Sequence, residues 1–66
     1  MHNYFVSYTY YLKNGVSGTG NAFSDLSTKI RGQRELKFLE NDLERQLLAE
    51  YPNLKGKPVI MYFKEL

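Results

Sequence analysis

The hydrophobic positions of the chain fall into three blocks with two different periods. In the central block, Leu36, Leu39, Leu43 and Leu47 recur at i, i+3, i+7 and i+11, which sets four leucines on one side of an α-helix. Charged residues fill the remainder of that turn pattern, so the spacing predicts an amphipathic helix from Gln33 to about Tyr51. Glu35 suits the positive end of the helix dipole, and Pro52 cannot continue the helix. Such a helix must lay its leucines on something apolar, and the chain offers only its two ends for this.

Both ends read as strands. Tyr4 to Leu12 is aromatic or β-branched almost throughout and contains no strand breaker. Asn14-Gly15 follows, a strong signal for a two-residue type I′ hairpin turn. A second strand from about Ser17 to Leu26 completes the hairpin, with Gly18 and Gly20 weakening it or marking a bulge. A two-residue turn would place Lys13 opposite Val16, Tyr10 opposite Thr19 and Val6 opposite Phe23. The bulky face, Tyr4, Val6, Tyr8, Tyr10 and Leu12 with Phe23, is then the expected core face. Pro58 opens a third strand over Val59 to Phe63, in which Val59, Met61 and Phe63 look more core-like than Ile60 and Tyr62. The predicted fold class is α+β, a single domain over residues 1–66 in the order β-β-α-β. It has a three-stranded sheet of order 2-1-3, and the amphipathic helix packs on one face. A right-handed crossover would bring the third strand beside the first and parallel to it.

Length and composition narrow the function classes. At 66 residues with no cysteine, the chain has no disulfide or thiolate metal site to staple it and must rely on a small core. No apolar run approaches the ~20 residues of a membrane span. Met1-His2-Asn3-Tyr4 lacks the basic region and apolar block of a signal peptide, so a cytoplasmic location is expected. No catalytic constellation is visible: the one histidine, His2, sits at an end expected to fray. Glu40, Asp42, Glu44 and Glu50 lie among Lys37 and Arg45 as a solvated helix face. Gly15, Gly18 and Gly20 follow a hairpin, with Phe23 where a dinucleotide fingerprint needs glycine. The chain is therefore expected to be no enzyme and to need no cofactor or metal.

Two binding readings remain. Six tyrosines exceed what one helix can cover, and Phe38 sits roughly 200° around the helix from Leu36, off the leucine stripe. Tyr8, Tyr10, Tyr11 and Phe38 are accordingly candidate contacts for a protein partner or a second copy, the tyrosines depending on which face the helix takes. The alternative is a single-stranded nucleic-acid binder. It would use the basic helix start, Lys29, Arg31, Arg34 and Lys37, with Lys55 and Lys57 beyond the other helix end and tyrosines stacking bases. The net charge of +2 permits nucleic acid without implying it.

Tyr4-Phe5-Val6-Ser7-Tyr8, Ser17-Gly18-Thr19-Gly20-Asn21, the charged leucine helix and Val59-Ile60-Met61-Tyr62-Phe63 together resemble the short uncharacterised proteins encoded by bacteriophages and prophages. The resemblance covers most of the chain. It implies a bacterial or phage source and a small accessory protein, and it brings no activity and no functional residues with it; the partner expected from the aromatic surplus would then be a host protein.

Overall fold

The structure is a computed structural model that describes residues 1–66. Strand β1 (His2–Tyr11), strand β2 (Ser17–Leu26), helix α1 (Gln33–Glu50) and strand β3 (Val59–Glu65) follow in that order, and the sheet order is β2-β1-β3. All pairing is antiparallel, which corrects the parallel β1–β3 arrangement expected from the sequence. The reason lies in which strand feeds the helix. Strand β2 already runs opposite to β1, and α1 carries the chain back along the sheet by about 27 Å. Strand β3 therefore starts where β2 started and runs with β2, against its neighbour β1.

The hairpin turn differs from expectation by one residue, and the sheet changes face as a result. Lys13, Asn14 and Gly15 form a three-residue loop: the Leu12 N–H donates to the Val16 carbonyl at 2.8 Å, and the Gly15 N–H to the Leu12 carbonyl at 3.0 Å. Only Gly15 takes positive φ (87°), whereas a type I′ turn would need it at Asn14 as well. The Asn14 side chain instead accepts the Val16 N–H at 3.0 Å. Even residues of β1 thus face even residues of β2, from Tyr10 opposite Gly18 to His2 opposite Leu26. A slip of one residue moves every β2 side chain to the other face. Phe23 leaves the core, and Ala22, Ser24 and Leu26 enter it.

The leucine stripe settles on that even face. Leu39 and Leu43 are fully buried with Tyr4, Val6 and Leu26, while Tyr8, Ala22, Ile30, Leu36 and Ile60 pack half-buried around them. Leu47 is buried as well, so Leu36 alone of the stripe is only half-buried. Polar bonds fasten the layers. The Tyr4 hydroxyl accepts the Ile30 N–H at 2.7 Å and ties the β2–α1 connection to the central strand. Buried Ser24 donates to Asp42, which Arg45 and Gln46 also reach. Ahead of the helix, Glu35 accepts the Arg31 N–H at 2.9 Å. Beyond it, buried Leu54 bridges to Leu12, an extension of the sheet that the sequence did not announce.

Strand β3 carries a bulge opposite Ser7 and Tyr8. Ile60 and Phe63 pair with Tyr8 and Val6 on the helix side, and Val59 and Tyr62 pair with Thr9 and Ser7 on the other. The expected core trio Val59, Met61 and Phe63 is therefore replaced: Ile60 packs on the core, and Val59 and Met61 are exposed. His2, expected to fray, opens β1 and bonds the Glu65 carboxylate at 2.8 Å.

Candidate interaction surface

Helix α1 covers one face of the sheet and leaves the other bare. The odd residues of β1 and β2 and their β3 partners make the bare face. Across it run the rows Phe23–Phe5–Lys64, Asn21–Ser7–Tyr62 and Thr19–Thr9–Val59, with Asp25 and Asn3 beyond the first. Phe5 and Phe23 meet edge to face with ring centroids 5.8 Å apart, and Phe23 is 68% exposed. Tyr62, Met61, Val59 and Tyr11 are also exposed. These side chains form a bent apolar band, across the sheet at Phe23 and Phe5 and then down the β3 side. Inside the bend lies a shallow polar hollow lined by Ser7, Thr9, Thr19, Asn21 and Met61. Ser7 donates to the Asn21 side chain there at 2.8 Å.

Both flanking strands are edges, and their free backbone groups follow from the turn. The Leu12–Val16 bond makes the even β1–β2 pairs the hydrogen-bonded ones. Odd residues of β2 then point N–H and C=O at the free edge. The Phe23 carbonyl is taken there by the Gln46 amide at 3.3 Å, while Ser17, Thr19 and Asn21 have no such cover from the helix.

The candidate tyrosines are divided between the faces. Tyr8 and Tyr10 lie on the helix side, over the glycines that pair with them: a Cβ at Gly20 or Gly18 would sit 2.8 or 2.6 Å from their hydroxyls. Tyr10 stacks on Tyr51 with centroids 4.9 Å apart, and Tyr8 packs against Tyr10 at 6.3 Å. Tyr11 alone of the three lies on the bare face. Phe38 is half-exposed on the outer side of the helix, beside a cavity of about 480 Å³ lined by Met1, Leu26, Asp42 and Arg45.

Tyr51 and Tyr8 hold their protons above the ordinary phenol range. The Tyr10–Tyr51 hydrogen bond, the Tyr10 charge and Glu50 together push the Tyr51 phenol up to about 12, and burial with Glu50 raises Tyr8. A raised phenol pKa favours folding while the proton stays on. That contribution is complete below the ordinary value of 10.0 and is lost as pH rises through about 12. Phenolate absorbance should therefore show a late step that Tyr51→Phe removes. All tyrosines titrating together near the ordinary value would contradict the stacked arrangement. At the other end of the sheet, the His2 bond, assisted by Lys29, lowers the Glu65 carboxyl.

The six basic candidates do not gather into one patch. Lys29 pairs with Glu65 at 3.7 Å, and Lys57 bonds Asn41 and lies 3.3 Å from Glu44. Arg31, Arg34 and Lys37 are exposed at the helix start, and Lys55 stands beside Tyr11 at the hairpin end. Base-stacking tyrosines on the bare face and phosphate contacts at the helix start would lie on opposite sides of the sheet. Phe5 and Tyr62 lie on the side the sequence left off the core, though neither was among its candidate contacts, whereas Phe23, Val59 and Met61 were expected in the core and the turn length and the β3 bulge bring them to the other face. No three His, Asp or Glu side chains converge to hold a metal ion, and no helix is long and apolar enough to cross a membrane. No protein-family model, curated protein or solved structure matches this chain.

Proposed function

We propose that this protein is a small non-catalytic interaction module whose working surface is the bare sheet face, and that it serves as a phage or prophage accessory protein acting on a host protein in the cytoplasm. The observation that carries the reading is the edge-to-face Phe5–Phe23 pair on the bare face, Phe23 exposed and Phe5 half-buried, together with exposed Tyr62, Met61, Val59 and Tyr11 on the same face. Aromatic residues and methionine are the side chains enriched in the buried centres of protein interfaces. Two of the seven acid groups serve structure in the same reading: Asp42 holds Ser24, Gln46 and Arg45, and Glu65 holds His2.

The test is capture from bacterial lysate with immobilised protein. Wild type and Phe38→Asp are expected to retain the same host protein, and Phe23→Asp is expected to lose it by at least tenfold, the scale of a hot-spot loss of about 1.4 kcal/mol or more. Capture unaffected by Phe23→Asp would contradict the assignment of the surface. Micromolar binding to single-stranded DNA or RNA that falls steeply with salt, without protein capture, would replace it with the nucleic-acid reading.

A further inference from the structure

We infer that the bare sheet face is self-complementary and that two copies of this chain stack on it as a β-sandwich dimer, with the two-fold axis along the strands. The inference rests on the bare face being an interaction surface and names its occupant in the free protein as a second copy, which the host protein must displace to bind there. Rotation about an axis along the strands keeps each row level and exchanges β2 with β3. Phe5, at the centre of its row, then meets Phe5 of the second copy, and Phe23 lies over the stem of Lys64.

Charge decides in favour of this rotation. The pleat places Asp25 one row beyond Phe23 on the β2 side and Lys64 in the Phe5 row on the β3 side. Exchange of β2 with β3 brings the Asp25 carboxylate of one copy to within one row of the Lys64 ammonium of the other, twice per dimer by symmetry. An axis across the strands would instead stack β2 on β2, set Lys64 over Val59 and leave Asp25 without a cation.

Shape and size agree. Stacked on the β2 side, Tyr62 and Met61 of one copy descend on Asn21 and Thr19 of the other, where the polar hollow lies. Ten-residue strands at ~3.3 Å per residue and three strands ~4.8 Å apart give roughly 500 Å² of face per copy. A pair would bury about 1,000 Å², the lower limit for a specific interface, so the dimer should form at micromolar concentrations. With only 9 of 66 residues buried in one copy, the second sheet also supplies what the small core lacks.

Sedimentation equilibrium from one to one hundred micromolar tests this directly. Wild type should move from 7.7 kDa towards twice that mass across the range. Asp25→Lys should weaken association by at least about tenfold through like-charge apposition, and Asp25→Lys with Lys64→Asp should restore it. Phe23→Asp should give a monomer with unchanged far-ultraviolet circular dichroism, and Phe38→Asp should leave the dimer intact. A monomer at every concentration, or a dimer indifferent to the charge reversals, overturns the inference. A monomeric wild type whose host capture is still lost in Phe23→Asp overturns the dimer alone and leaves the interaction surface standing.

Discussion

Leu43→Ala is expected to unfold most of the molecules at room temperature. Leu43 is fully buried, midway along the stripe between Leu39 and Leu47, and it belongs to the cluster with Tyr4, Val6 and Leu26. Truncating such a leucine costs about 2–5 kcal/mol, the lost transfer energy plus the cavity left behind. A chain of this size without disulfide or metal has about 3–5 kcal/mol of net stability to lose. Denaturant melts measure the difference directly. An unchanged midpoint would mean that the leucine stripe is not the core.

The second large effect belongs to Tyr4, where packing and hydrogen bonding are separable. Its ring is buried against Phe63, centroids 6.1 Å apart, and its hydroxyl accepts the Ile30 N–H. Tyr4→Ala removes both and should cost about 3–5 kcal/mol, by analogy with other large aromatic truncations. Tyr4→Phe keeps the ring and leaves the Ile30 N–H without its partner, at about 1–3 kcal/mol. Amide hydrogen exchange at Ile30 should accelerate in the Phe variant beyond the change seen across the sheet. Equal acceleration everywhere would mean that the hydroxyl does not hold the connection.

The parts of this fold legible in the sequence are those set by periodicity. Four leucines at helical spacing located α1 to within a residue, and the run from Tyr4 to Leu12 located β1 and its core side, because a strand with Val6 and Tyr4 on one face has few other ways to bury them. The misplacements came from choices that periodicity does not make. Asn14-Gly15 serves a two-residue or a three-residue loop equally well on paper, and Gly15 alone in the left-handed region selected the latter. That one residue moved Phe23 from the expected core to the surface. Strand direction followed from the helix leaving β2 and not β1, and the β3 bulge admitted Ile60 to the core in place of Met61.

The surface was legible only as a surplus. Six tyrosines and four phenylalanines exceed what a single helix hides, and that arithmetic predicted an uncovered aromatic face. It did not say which aromatics. Tyr8 and Tyr10 found cover on the helix side, where Gly18 and Gly20 leave room for their rings and Tyr51 stacks on one of them. Phe5 and Tyr62 did not, lying on the side of their strands away from Tyr4 and Val6, and the loop register turned Phe23 out to join them.

Chemical-shift mapping tests the central claim most directly: that this molecule meets others through its bare sheet face. Isotope-labelled protein is compared dilute, concentrated, and with the captured host protein added. The changes should concentrate at Phe5, Ser7, Thr9, Asn21, Phe23 and Tyr62. Changes gathered instead on the outer helix, at Arg34, Phe38 and Arg45, would contradict it.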